Sequence, residues 1–252
     1  MQNNMKNPII TLENVYKNFE IYNEKENKKE IFTVLSNVSL SVNHGDCIVL
    51  GGANGSGKSL LMTIIAQLEK PTSGSVWVHT QVGLIFQNSD IQILGETPWE
   101  DVAVGLKNQK IKKNDLENNI TTSLQAVALA HKAFFPARNL SGGEKRRLAT
   151  ASILAINRDT IIFDEPYANL DYSGVVQVNE LIINLQNQGK TIIILTHELE
   201  KCLALANRFI VLYKGTIVFN GTPEEGLQQD LKKWAIRHPL TTYTKLEDLL
   251  WK

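Results

Sequence analysis

Eight residues, Gly52 to Ser59 (GANGSGKS), constrain this chain more than any other stretch. They fit G-x-x-x-x-G-K-[ST] completely, follow an apolar run, Cys47–Leu50, and precede the helical stretch LLMTIIAQLEK. Glycines at this spacing let the backbone curl until successive N–H groups point at one centre, and a helix start behind them adds positive potential. The group that fits such a cradle is a chain of phosphates. Gly52, Ala53, Asn54, Gly55, Ser56 and Gly57 form the loop, Lys58 reaches the β- and γ-phosphates, and the Ser59 hydroxyl is placed for Mg²⁺. A glycine-rich turn that binds nothing would not need Lys58 and Ser59 in this register.

The loop demands strands and helices in alternation, and the chain supplies them. Apolar strand candidates are Cys47–Leu50, Val82–Phe86, Thr160–Phe163, Thr191–Leu195 and Phe209–Tyr213, with helical patterns between several of them. Such runs predict an α/β fold with a mainly parallel sheet covered on both faces. Residues 9–45 hold two strand-like runs, Ile9–Val15 and Phe32–Val42, around a charged segment, YNEKENKKE, read as a solvated hairpin tip. Residues 97–157 lack a good strand and predict a helical insert. Lys214–Gly215 turns one strand back on the next, Thr216–Asn220. Thr222–Pro223–Glu224–Glu225 is a helix start, with a capping hydroxyl, Pro at the first helical position and early acids. The tail, 227–252, carries Trp234, Leu240, Leu246, Leu249, Leu250 and Trp251 and is expected to pack on the body or on a partner.

No apolar run in the 252 residues approaches the roughly 20 needed to cross a bilayer, so any pore is expected to belong to another chain. The first residues, MQNNMKNPII, lack the apolar core of a signal peptide. Formal net charge is +0, which predicts no bulk attraction to nucleic acid or to an anionic membrane surface. Cys47 lies in DCIVL and Cys202 in the helical-looking run EKCLALA. Their spacing suits neither metal nor redox chemistry, so both read as small core residues in a reducing compartment.

Two further segments complete the chemistry. IIFDEP (Ile161–Pro166) is an apolar strand ending in two acids; at the C-terminal edge of a parallel strand these sit beside the phosphate loop. Asp164 is placed to hold Mg²⁺, and Glu165 to polarise an attacking water. LSGGE (Leu140–Glu144) is a capped helix start, with Ser141 as N-cap and Glu144 completing a capping box. The same geometry exposes the N–H groups of Gly142 and Gly143, so it is a second anion site.

The order of phosphate loop, LSGGE about 80 residues later, FDEP about 20 further, and TH after the next strand resembles the ATP-binding cassette ATPases over residues 9–226. The resemblance implies a P-loop core with an antiparallel β subdomain and an inserted helical subdomain. It also implies two cassettes, a homodimer or a heterodimer, paired head-to-tail, with each ATP between one chain's Gly52–Ser59 and the other's Ser141–Glu144. It places Phe19 against adenine, with Tyr16 as a second candidate, and assigns Gln87 to Mg²⁺ or the lytic water. His197 would contact the γ-phosphate, and Asp171 would lie in a loop crossing the dimer interface. Lys58 and Glu165 keep their roles. Departures are Leu60, where a hydroxyl contacting the α-phosphate is common, Asn169, Tyr167 and Glu144; none removes a catalytic group.

Phe86–Asn108 (FQNSDIQILGETPWEDVAVGLKN) is similar to the QNPDNQ…EDVAFG…N pattern of energy-coupling-factor and cobalt/nickel importer ATPases. Asn88, Asp90, Gln92, Glu100, Asp101, Val102, Ala103 and Gly105 match; Ser89, Ile91 and Pro98 depart. This resemblance implies a peripheral subunit on the cytoplasmic face of the cell membrane. It would bind integral transport subunits through that surface and power import of a vitamin or transition-metal ion. The alternatives are the ATPase of an exporter or lipid transporter, a soluble ATP-driven clamp on nucleic acid or ribosomes, and a non-catalytic scaffold. The short gap between phosphate loop and LSGGE and the neutral charge oppose the clamp, and Glu165 and His197 oppose the scaffold.

Overall fold

The computed structural model of the chain describes residues 8–23, 27–109 and 111–245. Nine strands follow in chain order: β1 (Ile10–Asn23), β2 (Lys28–Val42), β3 (Cys47–Gly51), β4 (Ser73–Val78), β5 (Val82–Ile85), β6 (Thr160–Asp164), β7 (Thr191–Leu195), β8 (Arg208–Tyr213) and β9 (Thr216–Gly221). The helices are α1 (Lys58–Ile65), α2 (Pro98–Asn108), α3 (Lys113–Ala126), α4 (Gly142–Ala155), α5 (Tyr172–Asn187) and α6 (Pro223–Leu227).

The strands form two sheets. The larger has the order β5-β6-β7-β3-β8-β9, parallel except for β9, which the Lys214–Gly215 turn folds back on β8. Its central strands β3 and β7 are buried at every residue, as unbroken apolar runs require when both faces are covered. The smaller is antiparallel, in the order β2-β1-β4.

Three apolar clusters hold these layers together. Leu61, Met62, Ile64 and Ile65 of α1 lie between the sheets, meeting Ile10, Leu12, Leu35 and Leu40 on one side and Ile48, Leu50 and Ile210 on the other. On the far face of the large sheet, Ile182 and Leu185 of α5 pack with Phe163, Ile192, Ile194 and Phe209. Leu231, Trp234 and Ile236 of the tail join the same cluster, so this part of the tail packs on the body. The helical insert has its own core of Val102, Leu106, Ile120, Leu124, Leu148 and Ala151, contributed by α2, α3 and α4.

Four sequence expectations change. β1 and β2 run well past Val15 and start before Phe32, so most of the charged segment is paired strand: Tyr22 faces Lys29 and Ile21 faces Glu30. Backbone pairing continues there beyond the core, where side chains on both faces are exposed. β4 has no counterpart in the sequence reading. α1 ends at Ile65, short of the predicted stretch, because Gln67 turns left-handed at φ 60°. The run EKCLALA is two short turns, Leu199–Lys201 and Leu203–Leu205, not a helix. Leu240 is exposed, and Leu246, Leu249, Leu250 and Trp251 lie outside the described residues.

Candidate active site

Because β3, β6 and β7 are parallel, their C-terminal ends open on one edge of the sheet, and three functional loops leave from that edge. β7 lies between β3 and β6. The loops are stitched together by rungs that continue the ladder: Thr196 N–H donates to Leu50 O (3.2 Å) and Glu165 N–H to Leu195 O (2.9 Å).

The loop after β3 is shaped by glycine. Gly52 has φ 152°, and a Cβ there would lie 2.3 Å from the backbone oxygen of Leu212, so no side chain fits. Gly57, at φ 100°, begins α1 without a side-chain cap. The first-turn N–H groups are therefore left to whatever occupies the loop. Lys58 is buried, and its Nζ donates to Gly52 O (2.7 Å) and Ala53 O (3.2 Å). Burial pulls the Lys58 ammonium below its usual range, opposed by the charges of Glu165 and Asp164. Ser59 Oγ donates to Asp164 Oδ1 at 3.3 Å. Asp164 is pushed up, mainly by burial; the Ser59 hydrogen bond opposes this and the neighbouring Glu165 charge adds to it.

Glu165 is nearly buried and sits at φ 49°, a conformation uncommon outside glycine, asparagine and aspartate. Its Oε1 contacts His197 Nδ1 at 3.0 Å, and its Oε2 is buried with no hydrogen-bond partner among the described residues. Ser56 Oγ is likewise buried and without a partner there. Unsatisfied buried polar atoms are uncommon, and two of them beside a phosphate-type loop fit a site built for a polar ligand. Ser59, Asp164, Lys58 and the glycine cradle fit a Mg²⁺-triphosphate, since Mg²⁺ typically takes one or two protein oxygens and completes its shell from phosphate and water. Among the described residues no group of three His, Cys, Asp or Glu side chains could hold a metal unaided.

Ser141, Gly142 and Gly143 lie apart from the phosphate loop. With Gln87 and Ala168–Asp171 they line a separate cleft to which no phosphate-loop residue contributes. The capping box is formed: Ser141 Oγ accepts from Glu144 N (3.3 Å), and Glu144 Oε2 accepts from Ser141 N (2.9 Å). Lys132 Nζ binds Glu144 Oε1 at 2.5 Å, and this bond leads the causes that hold the Glu144 carboxyl low. Asp171 caps α5 by accepting from Gly174 N at 2.8 Å. Gly143 also lines a further cavity together with Asp164, Arg146 and Pro166. Phe19 is 42% exposed, with Lys17 Nζ 5.1 Å from its ring centre. Lys17 pairs with Leu35, the side chain a Cβ on Gly57 would strike; beyond a bulge in the pairing, Phe19 faces Phe32.

The unusual residues find local reasons. Leu60 packs at the edge of the core between the sheets. Asn169 adopts φ 60°, which asparagine tolerates well. Tyr167 is fully buried and its hydroxyl donates to Asn179 Oδ1 at 2.8 Å. Pro98 is at the first helical position of α2 behind the Thr97 cap. Cys47 and Cys202 are buried; burial pushes the Cys47 thiol up to about 12, and Cys202 up as well.

Two features of the site were not foreseen. Arg146, in the run KRRL, donates from Nη1 to Pro166 O (3.0 Å) and Ala168 O (2.7 Å) and from Nη2 to Gln87 O (3.2 Å). Within Phe86–Asn108, several matching residues shape the loop itself. Gln92 bonds Phe86 N and Leu84 O, and Asp101 accepts from Leu94 N (2.6 Å), Gly95 N (3.0 Å) and Ser152 Oγ (2.7 Å). Ile91 and Leu94 are left exposed on the outer side.

The model of the ABC transporter family matches residues 35–168, the span from the β2 end of the small sheet to the turn after Glu165. The chain belongs to this family. It is similar to an energy-coupling factor transporter ATP-binding protein, EcfA2, of Methanospirillum hungatei, with 38% identity over 84% of the chain; the chain spans 57% of that relative's length. It is 35% identical to the corresponding EcfA1 protein of Mycoplasmoides gallisepticum, over 87% of the chain and 80% of the relative. Among solved structures it resembles the ATP-binding cassette MJ0796, described as a dimer in a post-hydrolysis state bound to ADP and Pi. There the TM-score is 0.77 and the identity 27%, over 85% of this chain and 98% of that one. The cassette fold and the energy-coupling-factor relatives therefore agree with the family resemblance read from the sequence.

Proposed function

We propose that this chain hydrolyses ATP as one half of a head-to-tail cassette pair and thereby powers a membrane importer of the energy-coupling-factor type. The observation that carries this reading is the separation of Ser141–Gly143 from the phosphate loop. Lys58, Ser59, Asp164, Glu165 and His197 converge at one sheet edge, while Ser141–Gly143 line a cleft to which no residue of Gly52–Ser59 contributes. A single chain therefore presents two incomplete sites, and pairing with a second cassette completes both.

In the completed site the backbone of Gly52–Gly57 and the start of α1 surround the triphosphate, and the Lys58 ammonium exchanges its carbonyl partners for phosphate oxygens. Ser59 and Asp164 would hold Mg²⁺, which would neutralise phosphate charge. Glu165 is the general base: Oε1 is fixed by His197 Nδ1, and Oε2 is an acceptor free to take a proton from the attacking water. Ser141 and the N–H groups of Gly142 and Gly143 contribute donors from the opposite chain. Triphosphate draws the cassettes together because each one gains donors from both, and loss of the γ-phosphate lets them part. Phe19 stacks on the base.

No helix among the described residues is long and apolar enough to cross a membrane. The chain acts from the cytoplasmic face as a peripheral subunit, passing its motion through the exposed side of the Asp101-braced loop to integral subunits that import a vitamin or transition-metal ion. Glu165→Gln tests the chemistry. The variant is expected to bind ATP and pair, with hydrolysis reduced about 10²–10⁴-fold; near-normal turnover would overturn the base assignment. Purification from membranes tests the transport half, because an exporter subunit in place of a small substrate-binding membrane protein would replace the importer reading.

A further inference from the structure

The turn that follows Glu165 has few bonds of its own. Glu165 and Asn169, at φ 49° and 60°, mark its two ends, and within it Ala168 N–H reaches Glu165 O at a long 3.3 Å. Left-handed φ at a residue such as glutamate costs about 1 kcal/mol or more and persists where the surroundings fix it. Two features fix it here. One is the buried Tyr167 ring with its bond to Asn179. The other is Arg146, which reaches out of the helix behind LSGG and holds the carbonyls of Pro166 and Ala168, the first of them on the residue next to Glu165. Among the described residues no backbone N–H bonds either carbonyl. The same guanidinium also holds Gln87 O, so three segments distant in sequence share one side chain. Arg146 is half-buried. Burial pulls its guanidinium below the usual range, and the charges of Glu165 and Glu198 oppose this.

We propose that Arg146 is a positioning residue for Glu165: its planar fork fixes the Pro166–Ala168 turn and so sets where the carboxylate stands. A guanidinium serves several in-plane acceptors at once, whereas an ammonium at that position is a point charge with a different reach. Arg146→Lys therefore keeps charge and most of the packing while losing the fork.

The inference rests on Glu165 acting as the base, and the test separates the two. ATP hydrolysis, affinity for a fluorescent ATP analogue and melting temperature are measured for wild type, Arg146→Lys, Glu165→Gln and the double variant. Arg146→Lys is expected to lose tenfold or more in kcat with analogue affinity changed less than twofold. On the Glu165→Gln background the same substitution is expected to cost less than twofold, because groups acting through one another are not additive. An equal loss on both backgrounds overturns the positioning role, as does wild-type kcat in Arg146→Lys or a fall in affinity that tracks the melting temperature. Near-normal turnover in Glu165→Gln alone instead removes the base assignment. If the lysine variant fails to fold, Arg146→Gln, which retains two donors, takes its place with the same expectations.

Discussion

Ser141 caps α4 and, in the proposed pairing, also donates to the triphosphate, and two substitutions separate these roles. As N-cap of α4 its Oγ accepts from Glu144 N at 3.3 Å, a long and exposed bond, while the reciprocal bond uses the backbone N–H of Ser141 and survives any side-chain change. Ser141→Ala should therefore sit at the weak end of capping effects, about 0.5–1 kcal/mol, whereas glycine, itself an acceptable N-cap, costs a few tenths. For a domain of this size 1 kcal/mol moves the melting temperature by roughly 2–4 °C, so the alanine variant melts about 1–4 °C low and the glycine variant close to wild type. The functional loss is set by a different quantity. A hydrogen bond from the hydroxyl to a triphosphate is worth about 1.5–3 kcal/mol, or about ten- to a hundredfold in rate if it is made at the transition state. Both variants lack the hydroxyl, so both should lose that factor equally in steady-state ATP hydrolysis, despite their different melting points. Scanning calorimetry and a phosphate-release assay on the same preparations decide the matter. Activity that follows stability, with Ser141→Gly near wild type, would show that the hydroxyl only caps the helix.

Two other substitutions probe the site's supports. The Asp164 carboxyl is raised mainly by burial, so its share of stability is fully present below the ordinary carboxylate value and lost as pH rises through the raised one. Without nucleotide, Asp164→Asn should then melt above wild type at pH 7, with the difference closing towards pH 4, while its Mg²⁺-dependent hydrolysis is lost; a lower melting point at pH 7 refutes this. Asp101→Ala removes the acceptor of three hydrogen bonds from a residue only 4% exposed. It should cost roughly 3 kcal/mol and open the segment from Asn88 to Glu96 to limited proteolysis. Unchanged cleavage there would show that other contacts hold the loop.

The candidate site could be read because its residues stand in contiguous runs. Gly52–Ser59, Leu140–Glu144 and Asp164–Glu165 each carry their geometry locally, and strands such as Thr191–Leu195 are buried on both faces and so read as unbroken apolar stretches. What was hidden depends on contacts between segments. Nothing in KRRL marks Arg146 apart from Lys145 or Arg147; only folding brings Pro166, Ala168 and Gln87 within its reach. β4, SGSVWV, is short and has no fully buried residue, so it lacks the signal of an interior strand. EKCLALA misled because Cys202 and Leu203, with Leu199 just before the run, are buried at helix-like spacing. Cys202, at φ −145°, breaks the run into two turns that bury the same side chains. The reach of β1 and β2 was hidden by charge, since strand pairing beyond a core needs no apolar alternation.

The tail has a consequence of another kind. Leu231, Trp234 and Ile236 fill the cluster that also holds Phe209 and Phe219, although His197, the last residue of the proposed site, lies far upstream. Shortening the chain after Gly226 would leave every motif in place and uncover the apolar floor beneath β8 and β9. The stretch that performs the reaction and the stretch that must be synthesised before the body can exclude water are therefore different lengths of polypeptide. A cassette trimmed to its chemistry would be an enzyme with an open hull.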